Sequence, residues 1–322
     1  MSSRKCKSVL VAALFVTCLC FVASTIAQEA APAKAKSEKP GLLILSHGSP
    51  SPRWNEAMTK LMEQVSKLND EKKEFHAVTA AMMEFAQPDA AAGIETLEKA
   101  GCDSIIVVPV FICPTSHTHF DVPAVLGLYT SPSVRKTLES ENARIAAPRV
   151  PVTVTQTISE GDLLDHYLRD EIAALSTAPD EEAVVLISHG DSGHAGLIDA
   201  IMRRLTKVVT ENGGINTTKV AYCGVGQTYT RDVVPVVQEL GKDKKRVLIV
   251  GFYLASSAKS IHDMGSRMGM GRRGPNAGGE NASATPPANP YEGIDIRFSE
   301  KGVIEHPETP RWVLECAAEA IR

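Results

Sequence analysis

The chain lacks a basic surplus: 34 Lys and Arg stand against 38 Asp and Glu, a formal charge of −4. Nucleic acid rewards a basic surface, so this balance argues against that class of partner and leaves small molecules open. Cysteine is also sparse. Of seven, three fall within the first twenty residues, and the others are Cys102, Cys113, Cys223 and Cys316. None of these four forms a C-x-x-C pair, which argues against a structural zinc cluster. Cys102 and Cys113 bracket a predicted strand and would lie tens of Å apart at ~3.3 Å per residue, too far for a disulfide. Buried free thiols are the expectation.

Long apolar runs are scarce too, and the one at the N-terminus, Ser8–Ser24, has 17 residues. A spanning helix usually needs ~20. Arg4, Lys5 and Lys7 precede the run, and Thr25-Ile26-Ala27 follows it as a small-residue cleavage site. Residues 1–27 therefore read as a signal peptide, with an uncleaved anchor as the alternative. Cys18 and Cys20 lack the small residue expected before a lipidated cysteine. An exported protein, periplasmic or extracellular, with no stable membrane insertion after cleavage, is the expectation. Cleavage removes three basic and no acidic residues and takes the formal charge from −4 to −7. Residues 28–40, rich in Ala, Pro, Lys and Glu, read as a flexible lead-in.

The remainder contains a repeat. Ser46-His47-Gly48 follows Leu42-Leu43-Ile44-Leu45, and Ser188-His189-Gly190 follows Val184-Val185-Leu186-Ile187, an offset of 142 residues. The same offset carries Val107–Phe111 onto Ile249–Tyr253 and Asp121 onto Asp263. Two half-domains are expected, 41–177 and 178–322, with their junction near Thr177-Ala178-Pro179-Asp180. Each reads as alternating strands and helices. In the first half these are Gly41–Ser46, Trp54–Leu68, His76–Met83, Pro88–Ala100, Ser104–Phe111, Asp121–Tyr129, Val150–Gln156 and Asp162–Leu175. In the second they are Ala183–Ser188, Ala195–Val209, Lys219–Gly224, Val233–Leu240, Arg246–Leu254, Ile294–Phe298 and a last helix from Pro310. The pattern predicts an α/β fold with a doubly wound, mainly parallel sheet in each half and a cleft between them. Gly271–Gly293, rich in Gly, Pro, Asn and Ser, reads as a mobile loop, either a lid or a plain insertion.

Ligands of open α/β sheets sit beyond the carboxyl ends of the strands, which places His47, Glu84 and the segment after Phe111 on one rim. At the repeat offset His117 meets Lys259, His119 meets Ile261 and Glu84 meets Gly226; only His47 keeps a histidine, His189. One site, in the first half, is the natural inference. His47, His117 and Glu84 suit a borderline divalent metal with open coordination positions, or acid–base work. The bland readings stand beside these. His47 could simply bond a turn, as its surviving twin suggests; His119 could be a further ligand or a solvent-facing neighbour; Glu84 could be a surface carboxylate.

Three segments in order, the strand ending in Ser46-His47-Gly48-Ser49, Ala81-Met82-Met83-Glu84 with Pro88, and Val107–Phe111 followed by His117 and Asp121-Val122-Pro123, resemble the class II tetrapyrrole chelatases. The type is the sirohydrochlorin cobaltochelatase in its long, two-half form, over nearly all of 41–322. The resemblance implies ATP-independent insertion of Co²⁺ or Fe²⁺, with Ni²⁺ also in range, into sirohydrochlorin or a related tetrapyrrole. No nucleotide is implied. It makes His47 and His117 the metal-contacting, proton-accepting residues and Glu84 their acid. The macrocycle would lie between the halves, with Arg53, Lys259, Arg267, Arg272 and Arg273 as candidates for its carboxylates. Pro114-Thr115-Ser116 before the histidine, the added His119 and the export signal depart from the family pattern. The rival reading is an exported, non-enzymatic metal- or haem-binding protein of this fold. A phosphate hydrolase would want an arginine before His47, where Ser46 stands.

Overall fold

Continuous Leu, Ile and Val runs suit strands covered on both faces, and they form the centres of two sheets. The computed structural model describes residues 37–129, 131–140, 143–224, 226–268 and 289–322. The expected signal peptide, nearly all of the lead-in, and residues 271–288 of the expected mobile loop lie outside these. Strands β1 (Pro40–Ser46), β2 (Ala77–Met82), β3 (Ser104–Pro109) and β4 (Val152–Val154) form one sheet in the order β2-β1-β3-β4. Strands β5 (Glu182–Ser188), β6 (Thr218–Tyr222), β7 (Arg246–Phe252) and β8 (Asp295–Phe298) repeat it as β6-β5-β7-β8. All the pairings are parallel, and β1 and β5, central in each sheet, are buried along their whole length.

The connecting helices are α1 (Pro52–Lys72), α2 (Ala90–Lys99), α3 (Val122–Val125), α4 (Pro132–Ser140), α5 (Leu163–Leu175), α6 (Ala195–Gly213), α7 (Val234–Leu240), α8 (Ala258–Met268) and α9 (Thr309–Glu319). The single helix expected over Asp121–Tyr129 is instead a π-helical turn, His117–Asp121, running into the short α3. The sequence reading had no counterpart for α4 or α8. In α8 a glycine lowers helix propensity, yet Gly265 is required: a Cβ there would stand 2.5 Å from the Tyr229 Cβ. Of Gly271–Gly293, the described end is packed, with Tyr291 buried and its hydroxyl 2.8 Å from that of Tyr229.

Three apolar cores stack through the molecule. One outer face of the first sheet packs on α2 and α3, and one outer face of the second packs around α7. Between the sheets, their facing sides share one core with α1, α5, α6 and α9. The terminal helix of each half crosses over. Helix α5 packs on α6 and β7 of the second half, and α9 packs on α1 and β3 of the first. Buried Tyr167 of α5 lies with its hydroxyl 3.0 Å from both Gly251 O and Lys301 O. The halves therefore form one unit from Ser37 to Arg322. Cys102, Cys113, Cys223 and Cys316 are free thiols, as expected, but only Cys102 and Cys316 are buried; Cys113 and Cys223 are partly exposed. Among the described residues no helix is long and apolar enough to cross a membrane.

Candidate active site

The β1–β2 ladder runs on past the strand ends and carries the first site residues together. Met83 N–H donates to Ser46 O (2.7 Å) and Glu84 N–H to His47 O (3.0 Å). Gly48 then turns the chain with φ +89°, and its missing Cβ admits the Glu84 carbonyl, which would otherwise lie 2.0 Å from that carbon. Glu84 is only 5% exposed, and its Oε1 lies 2.7 Å from His47 Nε2. His47 Nδ1 donates to Gly48 O at 2.9 Å. At 2.7 Å a lone pair facing a carboxylate would repel, so one proton lies between Nε2 and Glu84.

The π-helical turn after β3 supplies the second imidazole. His117 Nδ1 donates to Asp121 Oδ2 at 2.7 Å, one turn on, which directs the lone pair of neutral His117 to Nε2. The His47 and His117 rings meet edge-on with centroids 4.7 Å apart. His47, Glu84 and His117 are thus brought together. Glu84 faces His47 rather than standing beside the imidazoles as a third donor. Among the described residues no group of three His, Cys, Asp or Glu side chains is arranged to hold a metal ion.

His47 and His117 sit in the wall of a cavity of about 740 Å³ between the halves, a size that takes a substantial organic ligand. The second half contributes His189, Gln227, Tyr229, Tyr253 and Met264. His189 Nδ1 donates to Gly190 O at 2.9 Å, the same turn-forming bond as His47. The strand registers, however, pair Ser46 with Met82 and Ser188 with Tyr222. The counterpart of Glu84 is therefore Gly224, not Gly226, because the connection from β5 to β6 is two residues shorter than that from β1 to β2. A Cβ at Gly224 would stand 2.1 Å from His189 O and 2.8 Å from its ring, so the backbone there excludes any carboxylate.

The other candidates fall elsewhere. His119 is exposed, its ring 5.6 Å from that of His194 in the second half. Arg53 lines a separate hollow on α1 with Glu56 and Lys60. Lys259 Nζ lies 2.6 and 2.7 Å from the carboxylate oxygens of Asp263. The Arg267 side chain, Arg272 and Arg273 lie outside the described residues. Burial pushes the Cys113 thiol up to about 11, with the Asp191 charge adding to it, so this thiol is inert at neutral pH. Sequence reasoning missed Phe85 on the cavity wall and the part played by Asp121. The signal for Asp121 was present: it lies four residues after His117 and survives as Asp263, four after Lys259, where it holds a cation instead.

Residues 41–175 match the CbiX family model. The matched half is the one that carries His47, Glu84, His117 and Asp121. The sirohydrochlorin cobaltochelatase of Methanococcus maripaludis is 33% identical over 88 residues, 27% of this chain and 58% of that one. The protein of that name from Priestia megaterium is 22% identical over 219 residues, 66% of this chain and 63% of the relative. The chain thus spans 58 to 63% of the length of these two relatives. SirB from Bacillus subtilis with Fe3+ superposes with a TM-score of 0.61 at 14% identity, over 88% of this chain and 96% of SirB. That similarity shows the fold: two chelatase-like halves.

Proposed function

We propose that the chain inserts a divalent metal, cobalt or iron, into sirohydrochlorin or a related tetrapyrrole without a nucleotide. The observation that carries this reading is the pair of buttressed imidazoles, His47 on Glu84 and His117 on Asp121, in the cavity wall of one half only. Two pyrrole N–H protons must leave as the dication enters, so the chemistry needs proton acceptors with pKa values near ambient pH, and imidazole supplies them. His117 Nε2 meets the incoming metal and takes up a pyrrole proton, and Asp121 stabilises the imidazolium that results. The His47–Glu84 pair joins it once the proton already shared between them has passed to solvent; His47 Nε2 then accepts the second pyrrole proton and Glu84 stabilises that imidazolium. The metal is substrate and must pass on to the macrocycle, which a closed three-ligand cage would oppose. The relatives named for cobalt chelation of sirohydrochlorin support the substrate class. The basic, apolar and small-residue order of residues 1–27 supports export, which N-terminal sequencing of the mature protein would test at Gln28.

The decisive assay mixes the purified mature chain with sirohydrochlorin and Co²⁺ or Fe²⁺ and follows the absorbance change of metallation. A rate well above the spontaneous one is expected. His117→Ala is expected to abolish it with the fold intact, whereas His189→Ala keeps most turnover. No rate above background, with tight haem or metal binding instead, would establish the carrier reading.

A further inference from the structure

Phe85 occupies a costly backbone conformation that its own packing does not explain. The chain leaves β2, makes a short excursion and returns at once, Met82 N–H donating to Pro88 O at 2.8 Å. At the tip Ala86 N–H donates to Glu84 O at 2.8 Å, a three-residue turn with Phe85 at its centre and φ +61°. Turns of this kind with positive φ are rare and strained, and a bulky side chain makes them more so. The other non-glycine residue with positive φ among those described, Lys73, simply ends α1. Phe85 gains little burial in return, since it is 55% exposed.

The surroundings hold the turn in place. Gly48 packs on the Glu84 carbonyl, Glu84 is tied to His47, and Asp89 caps α2 while Arg144 grips both its oxygens at 3.0 and 3.2 Å. The ring is left on the cavity wall, its centroid 5.9 Å from that of His47 and tilted 33° to it. By the same register the counterpart of Phe85 in the second half is Val225, so no aromatic side chain stands at that position. The strained aromatic therefore stands in the half that carries the buttressed imidazoles. Persistent strain at an over-determined position is a mark of function.

We infer that Phe85 is a stacking platform that holds the face of a flat, conjugated macrocycle beside His47 and His117. This rests on the chelatase reading, and names the residue that positions its substrate.

The test uses the full mature chain with Phe85→Gly, Phe85→Leu and Phe85→Tyr. Three quantities are measured: the denaturation midpoint, the Kd for metal-free sirohydrochlorin by absorbance titration, and KM against kcat. Phe85→Gly is expected to raise the midpoint while weakening binding about tenfold, with KM rising more than kcat falls. Phe85→Leu, which keeps apolar bulk without a π-face, should bind as weakly as the glycine variant. Phe85→Tyr should bind like wild type. A Leu or Gly variant within twofold of wild-type affinity would overturn the inference, as would a lowered midpoint for Phe85→Gly. Wild-type chain that neither binds nor metallates sirohydrochlorin would overturn the chelatase reading together with it. Wild-type chain that does both, beside unaffected variants, would overturn only the stacking.

Discussion

The two Ser-His-Gly copies allow single residues to be judged against their twins. Both histidines bond the carbonyl of the following glycine, so that bond belongs to the turn and not to the chemistry. What differs is the second ring nitrogen, which meets Glu84 in the first half, where the second half has Gly224. The glycines differ in the same way. Gly48 has φ +89° with a backbone oxygen 2.0 Å from the missing Cβ, whereas Gly190 has φ +72° and its nearest neighbour is the movable Gln227 amide oxygen at 3.0 Å, with the Tyr222 side chain in ordinary contact at 3.4 Å. A left-handed alanine costs about 1–2 kcal/mol by itself. Gly190→Ala should lose about that much in denaturant titration. Gly48→Ala should lose more, about 3 kcal/mol or above, because the Glu84 carbonyl must also move. Metallation should fall with it, since Glu84 would leave His47. Equal losses at the two sites would contradict the close packing of Gly48 on Glu84.

Two buried carboxylates anchor elements of the fold. Asp89 accepts from Ala92 N–H at the start of α2 and binds Arg144. Glu182, at the head of β5, accepts from Ser176, Thr177 N, Ala178 N and Arg246, and so holds the junction between the halves. Burial alone would push both carboxyls up. The Arg144 guanidinium and Ala92 N–H outweigh it at Asp89, and the Ser176 hydroxyl, the backbone donors and Arg246 outweigh it at Glu182. Both carboxyls end below their ordinary range, near 4. A depressed folded pKa gives stability that is fully present above the unfolded value and lost as pH falls through the folded one. Stability should therefore hold from neutral pH to about pH 5 and decline below about pH 4. Asp89→Asn and Glu182→Gln should each be less stable at pH 7 and decline less steeply in acid, as read by circular dichroism. An unchanged acid limb in both variants would exclude these carboxyls as its source.

At this scale the strands were legible because buried parallel strands are apolar throughout. The helices α4 and α8 were not. Helix α8 reads as Ala258-Lys259-Ser260-Ile261-His262-Asp263-Met264-Gly265 at its start, a polar, glycine-bearing run. It is held by its fit against Tyr229 rather than by propensity. Likewise, nothing in the periodicity of residues 117–129 shows a π-turn that sets Asp121 under His117.

Across the whole molecule, the exchange of α5 and α9 makes neither half a free-standing domain. Val313, Leu314 and Ala317 of α9 are buried in the core that also takes Ile106 and Val108 of β3. Full burial of one large aliphatic side chain contributes about 1.5–3 kcal/mol, against the 5–15 kcal/mol that holds a typical protein folded. Deleting α9 should therefore leave a chain with weak near-UV dichroism and rapid proteolysis throughout its first half, although every residue of the imidazole site is still present. Protection of the first half equal to that of the full chain would mean that it folds without its exchanged helix. The cavity depends on the same exchange, since its walls come from both halves.

The sequence by itself determined the duplication, the parallel sheets and the rim that gathers His47, Glu84 and His117. Strand hydrophobicity, chain reversals and the loss of His117 and Glu84 from one copy are local facts, visible in order along the chain. The tertiary structure decided how those residues are used. Which nitrogen meets which carboxylate, the true counterpart of Glu84, the strained presentation of Phe85 and the crossing of the terminal helices depend on contacts between segments far apart in sequence. Such contacts arise from register and packing, which no single segment encodes.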